Sequence, residues 1–200
     1  MEIKNVVFDF GGVLVDWNPR YLYKTIFKDT SEMEYFLANI CTGEWNTMQD
    51  AGRSLAEGTE LLQKQFPEYH SLIGDFYGGW EQMLNGEISE NVALLPRLKK
   101  KYKLLGLTNW SAETFPVALQ LFPFFGQFEG IVVSGTEKMI KPDKAFFHVL
   151  LRRYRIKAEH SLFIDDTLKN IDAAKAMGFH TIHFHDGVNL EEQCKKMGVL

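Results

Sequence analysis

Cysteine is scarce in this chain. Cys41 and Cys194 are the two present, far apart, so no disulfide framework staples the fold, and both read as buried or incidental free thiols. No apolar run reaches membrane-spanning length. Basic residues are in no excess: the net charge is -4, which withholds the footprint expected of a nucleic-acid binder. A small anionic substrate remains compatible with that balance, because one lysine and one metal ion can reverse the field locally. The segment Met1-Glu2-Ile3-Lys4-Asn5 runs straight into a candidate strand without the shape of a signal peptide. Internal repeats, low-complexity tracts and long linkers are also missing. The expectation is a soluble cytoplasmic protein with no nucleic-acid and no membrane partner.

What is present is a set of four short apolar runs, each leading to polar residues. Val6-Val7-Phe8 ends in Asp9, and Leu104-Leu105-Gly106-Leu107 ends in Thr108-Asn109. Ile131-Val132-Val133 leads on to Lys141, and Leu162-Phe163-Ile164 ends in Asp165-Asp166. Runs of this length and composition predict strands buried on both faces. In an open parallel sheet the ligand crevice lies beyond the carboxyl ends of the strands. Four tips would deliver carboxylates, a hydroxyl, an amide and an ammonium to one place.

Between about residues 19 and 83 no convincing strand occurs. Ser31 with Glu34, and Ser54 with Glu57, fit the capping-box pattern of helix starts, and Pro67 separates two helices. From Ser89 onward the pattern alternates. Helices are expected at about 89–100, from Ser111, from Asp143 to about Tyr154, and from about Thr167 to Met177, where Gly178 gives a stop. Strands fall between them, the last being Thr181-Ile182-His183-Phe184. The alternation predicts an α/β fold, a doubly wound parallel sheet of Rossmann-like type, with an inserted all-helical cap. The expected division is a catalytic core of residues 1–15 and 86–200 and a cap of residues 16–85. Its place directly after the first strand tip suits a lid over the crevice.

A carboxylate such as Asp9 can attack phosphorus and form an aspartyl-phosphate that water later hydrolyses. Bringing Asp165 and Asp166 beside it creates a repulsion that raises carboxyl pKa values unless something positive intervenes. Magnesium resolves the conflict, since it takes oxygen ligands from one or two carboxylates plus substrate and water. Asp9 and Asp166 are assigned as direct ligands, with Asp165 joining directly or through water. Lys141, held extended by Pro142 just before a helix capped by Asp143, is placed to neutralise Asp9 and a transferring phosphoryl group. Thr108-Asn109, before a helix N-terminus, offers donors for an anion. Each of these residues alone is more simply explained as a cap, turn or surface charge; their order and common placement carry the inference.

Asp9-Phe10-Gly11-Gly12-Val13, Thr108-Asn109, Lys141-Pro142 and Asp165-Asp166 together resemble the four motifs of the haloacid dehalogenase-like hydrolase superfamily. The stretch from Phe163 to Gly178 is especially specific, and the likeness spans nearly the whole chain. Within the group the chain is similar to the small phosphatase-like branch, which includes sugar-phosphate phosphatases. The resemblance implies Asp9 as nucleophile and metal ligand, and a backbone carbonyl to the metal from the residue two further on, here Gly11. Phosphatases of this group commonly carry a second aspartate at that place as general acid and base. Gly11 cannot transfer a proton, and acid–base catalysis is worth about 10²–10⁴-fold. Asp16 is the nearest spare carboxylate in sequence to replace it.

The leading expectation is magnesium-dependent hydrolysis of a small phosphorylated metabolite by a monomer or weak homodimer. A metal-free 2-haloacid dehalogenase using Asp9 is the alternative, and a low-turnover protein that binds a phosphorylated ligand is another. Trp17 and Trp110 lie beside the first and second motifs and are candidates to contact a sugar or another flat face, with core packing equally able to explain them. Trp45, Gln49, Asp50 and Arg53 fall on the expected cap, where solvated helix faces are the simpler account. His180, His183 and His185 cluster near the last strand but lack the third ligand of a familiar zinc site.

Overall fold

The computed structural model describes residues 2–200. The chain opens with strand β1 (Asn5–Phe8), turns through two glycines, and forms β2 (Val15–Trp17). Five helices follow: α1 (Pro19–Ile26), α2 (Thr30–Asn39), α3 (Gly43–Asp50), α4 (Leu55–Gln65) and α5 (His70–Gly78). Strand β3 (Leu84–Glu87) then pairs antiparallel with β2, so a two-stranded ribbon marks where the chain leaves and rejoins the sheet. Sequence patterning misses this ribbon because its strands are three and four residues long and its partners lie far apart in the chain.

The alternating part contains α6 (Ser89–Val92), α7 (Leu95–Lys99), β4 (Lys103–Thr108), α8 (Phe115–Leu121), β5 (Gly130–Val133), α9 (Ser134–Glu137), α10 (Lys144–Tyr154), β6 (Ser161–Asp165), α11 (Leu168–Ala176), β7 (His180–His183) and α12 (Leu190–Lys196). The five long-range strands form one parallel sheet in the order β5-β4-β1-β6-β7. Side chains on β1 alternate between faces. Val6 and Phe8 join a large apolar cluster with α7, α8 and α12, while Val7 joins a second with Phe146, Phe147 and Ile171 of α10 and α11. Helices therefore cover both faces of the sheet, as the continuous apolar runs predict.

Two helix starts differ from expectation. Asp29, not Ser31, caps α2, its carboxylate accepting the N–H groups of Ser31 and Glu32; Glu34 is drawn instead into a paired contact with Arg20. The helix expected from Ser111 begins at Phe115, because Ser111 Oγ accepts the Glu113 N–H in a turn and Pro116 enters only at the first helical turn. The stretch expected as one helix over 89–100 is broken into α6 and α7 near Pro96. Ser54 caps α4 and Asp143 caps α10 as the sequence indicates.

Strand order reverses at β1, the position beyond which ligands lie in open α/β sheets. The residue after Asp9 fixes that tip. The Phe10 ring is fully buried and meets Phe125 and Phe128 edge-on, at 4.8 and 5.1 Å between centroids. It lies so close over β4 that a Cβ on Gly106 would sit 2.3 Å from it. Pairs of this kind contribute about 0.5–1.5 kcal/mol each beyond burial.

Candidate active site

Asp9 follows β1, Asp165 ends β6, and the two strands are neighbours, so sheet register alone puts both carboxylates at one edge. Lys141 Nζ bridges them, 2.8 Å from Asp9 Oδ2 and 2.7 Å from Asp165 Oδ2, with its side chain fully buried. Asp166 completes a group of three carboxylates, each offering an oxygen within 4.8 Å of the others.

The electrostatics follow from burial and crowding. Burial pushes the Asp9 carboxyl up to about 7, opposed by Lys141 and reinforced by Asp165 and Asp166. Burial, then Asp165, likewise raises Asp166. For Lys141, burial works against the charge, yet Asp165 and Asp9 outweigh it and hold the ammonium above its ordinary range.

The three carboxylates are not equivalent. Asp165 accepts from Lys141, from the Thr167 N–H at 2.8 Å and from Asn170 Nδ2 at 3.0 and 3.2 Å. Its oxygens are committed to protein donors, which suits it to orient Lys141. Asp9 uses one oxygen for Lys141 and one for the Phe10 N–H, and Asp166 accepts the Thr167 hydroxyl at 3.1 Å and its own backbone N–H. Asp9 and Asp166 therefore keep the lone pairs that a hard divalent cation takes, and the crowding of negative charge around one ammonium fits such an ion. Those two carboxylates and the Gly11 backbone would hold it. Bound there, magnesium would supply positive charge to offset the anionic oxygens of a phosphoryl group.

The remaining sequence candidates are brought to the same place in different capacities. Asn109 donates Nδ2 to the Lys141 carbonyl at 3.1 Å and accepts the Lys141 N–H at 2.8 Å, so its amide braces the lysine backbone while it walls the cavity. Thr108 is fully buried at the tip of β4, and its Oγ has no hydrogen-bond partner among the described residues. A buried hydroxyl without a partner is costly, and an anion at the tip would satisfy it. Trp17 reaches the cavity from β2.

That cavity has a volume of about 350 Å³. Asp9, Gly11, Gly12, Asn109 and Asp166 line its core side, with Trp110, Ser111 and Thr114 following β4. Asn46, Asp50, Tyr77 and Trp80 enter it from the segment between β2 and β3. Gly12 permits the turn: its φ is +71°, and a Cβ there would sit 2.3 Å from Asp166 Oδ2. Gly11 is different, since a Cβ at that position meets nothing within 4 Å.

Asp16, the spare carboxylate nearest in sequence, does not line the cavity that holds Asp9. Its carboxylate accepts from Tyr21 Oη at 2.9 and 3.0 Å and from Asn85 Nδ2 at 2.9 Å. It lines a second, neighbouring cavity instead. Trp45, Gln49 and Arg53 serve the interior of the helical segment: Trp45 Nε1 donates to the Gly58 carbonyl, and Arg53 Nε donates to Gln49 Oε1. Among the described residues His183 joins no group of potential metal ligands; its Nε2 lies 2.9 Å from the Asp166 carbonyl, which steadies the loop carrying Asp166. Sequence reasoning missed the roles of His183, Asn170 and Tyr77. Asn170 lies in the first turn of α11, just past the β6 tip that carries Asp165.

Comparison with known proteins agrees with this geometry. The family model for haloacid dehalogenase-like hydrolases matches residues 6–184. A sesquiterpene phosphatase of Aspergillus oryzae is 28% identical, over 92% of this chain and 91% of its own length. The D-ribitol-5-phosphate phosphatase of Bacteroides thetaiotaomicron is 22% identical over 96% of each. A magnesium complex of a HAD family enzyme from Bacteroides thetaiotaomicron superposes with a TM-score of 0.75 at 21% identity, covering 96% of this chain and 98% of that one. With the family's strand-tip residues assembled at one edge of the expected sheet, the chain belongs to the haloacid dehalogenase-like hydrolases.

Proposed function

We propose that this protein is a magnesium-dependent phosphatase that hydrolyses a small phosphomonoester through an aspartyl-phosphate on Asp9. The observation that carries the reading is the buried Lys141 bridge between Asp9 and Asp165 beside a third carboxylate, at the floor of a cavity of substrate size. A preorganised ammonium at that point stabilises charge building on a transferring phosphoryl group, and losing such a donor costs about 2.7–4 kcal/mol of barrier. The helical segment 16–85 acts as the cap, closing aromatic walls over the reacting phosphorus and excluding water. Asp165, although a sequence candidate for the metal, serves chiefly to hold Lys141.

Trp17, Tyr77, Trp80 and Trp110 give the wall a flat, apolar character. They favour an organic group with a ring or hydrocarbon face over a bare polyol. A sesquiterpenoid phosphate and ribitol 5-phosphate, the substrate classes in the names of the two phosphatase relatives, are the natural poles of a test. A panel holding both is assayed for phosphate release with and without magnesium, beside chloride release from 2-chloropropionate. Magnesium-dependent phosphate release, faster with the apolar member, is expected. Chloride release without phosphate release would replace this reading with the dehalogenase.

A further inference from the structure

Gly11 leaves the proposed phosphatase without a proton donor next to its nucleophile, and Asp16 is committed elsewhere. Leaving-group protonation then needs another carboxyl in the same cavity. Among the residues lining it there is one acidic side chain besides Asp9 and Asp166, and that is Asp50, the last residue of α3.

Its position is fixed by both halves of the molecule. The Asp50 carbonyl accepts Ser134 Oγ at 2.6 Å, and Ser134 Oγ accepts the Trp110 N–H at 2.9 Å, which ties the end of α3 to the tips of β4 and β5. The side chain accepts the Ser111 N–H and Asn46 Nδ2, the latter at 3.3 Å. Asn46 is in turn held by Tyr77 Oη at 2.9 Å, and Tyr77 by Gln49. Each of these contacts is a neutral donor; among the described residues no cation pairs with this carboxyl directly.

We propose that Asp50 is the general acid and base of the reaction, delivering from the helical segment the proton that Gly11 cannot. This rests on the phosphatase reading of Asp9. In the first step an Asp9 oxygen bonds to phosphorus, the bond from phosphorus to the leaving oxygen breaks, and that oxygen takes the Asp50 proton to leave as an alcohol. In the second, water attacks phosphorus and gives a proton to the Asp50 carboxylate. The phosphorus–Asp9 bond breaks, which restores both side chains and releases phosphate.

Burial pushes the Asp50 carboxyl up to about 7, against the Ser111 N–H and the more distant Lys141. An acid of that strength is poised for proton transfer near neutrality. The titratable groups facing it are Lys141, Tyr77 of α5, and Asp9 and Asp166 on the core side. Arg53 is engaged with Gln49, and Glu137 of α9 with Arg153.

The test uses two probes: p-nitrophenyl phosphate, whose phenolate leaves without help, and benzyl phosphate, whose alkoxide needs a proton. Asp50→Asn should lose about 10²–10⁴-fold in kcat on benzyl phosphate and far less on p-nitrophenyl phosphate. Gly11→Asp, for which there is room, should restore part of the loss in the Asp50→Asn background. Wild-type enzyme should show a decline above about pH 7 with benzyl phosphate alone, a readout that does not depend on any variant folding. Equal losses on both probes, no loss on benzyl phosphate, or a wild type that turns over only p-nitrophenyl phosphate would each overturn the proposal. Failure of the phosphatase reading looks different: neither probe is hydrolysed, and beryllium fluoride with magnesium leaves the Asp9 carboxylate unmodified.

Discussion

The two sides of the cavity are built on opposite principles. On the core side, Asp9, Lys141, Asp165 and Asp166 crowd charge into a buried space, and three of the four are locked by contacts between 2.7 and 2.8 Å. On the side of the helical segment, Asp50 is a single carboxyl among amides, a tyrosine and tryptophans, held by uncharged donors. The first arrangement sets a fixed ammonium among crowded carboxylates, which suits attack on phosphorus once a cation offsets the charge that lifts Asp9. The second keeps a carboxyl near neutrality, which suits handing over a proton. Environment, not residue type, separates the roles of these aspartates.

Breaking the core side should have the largest effect. Asp9→Asn is expected to lower kcat on the order of 10⁴–10⁶-fold, as loss of a nucleophile does, with an unchanged circular dichroism spectrum. Substantial remaining turnover would remove Asp9 from the chemistry. Lys141→Met should be costly in a second way. It leaves Asp9 and Asp165 buried without their partner, a loss of about 3–5 kcal/mol that a urea midpoint would register.

The adjacent glycines sharpen the comparison at a smaller scale. Gly12→Ala meets Asp166 and strains a positive φ, so it should cost about 1–3 kcal/mol and weaken magnesium binding, read by titration calorimetry. Gly11→Ala has open space and should stay within about 0.5 kcal/mol of the parent. Equal effects at the two positions would mean that the turn is not built as described.

A further effect concerns stability on the helical side. The folded protein holds the Asp50 proton up to about pH 7, whereas the unfolded chain releases it near pH 4. The native state therefore binds more protons across that window, and stability falls as pH rises through it. Asp50→Asn removes this penalty. Its Tm should exceed that of the parent by about 2–4 °C at pH 8 for each kcal/mol relieved, and match it at pH 4. A variant that is less stable at pH 8 would show that the Asp50 carboxylate is needed for packing.

The core side was legible in the sequence because buried parallel strands write themselves as apolar runs, and the residue after each run must stand at the sheet edge. Asp9, Thr108 and Asp165 could be read that way, and Lys141 through its fixed place before a capped helix. The helical side was not. Helix α3 reads Gly-Glu-Trp-Asn-Thr-Met-Gln-Asp, with no apolar stripe to say which face turns inward. The β2–β3 ribbon, which sets where that segment sits, is too short to leave a period.

By itself the amino-acid sequence determined the parallel sheet and the order of its functional tips, since each depends on neighbours along the chain; the departure at Gly11 was visible only through the resemblance to the family. Tertiary structure alone decided that Asp165 serves Lys141, that Asp16 faces Tyr21 and Asn85, and that Asp50 reaches the cavity. Those outcomes depend on which donors and how much water surround a carboxyl, and such surroundings exist only once distant segments have packed.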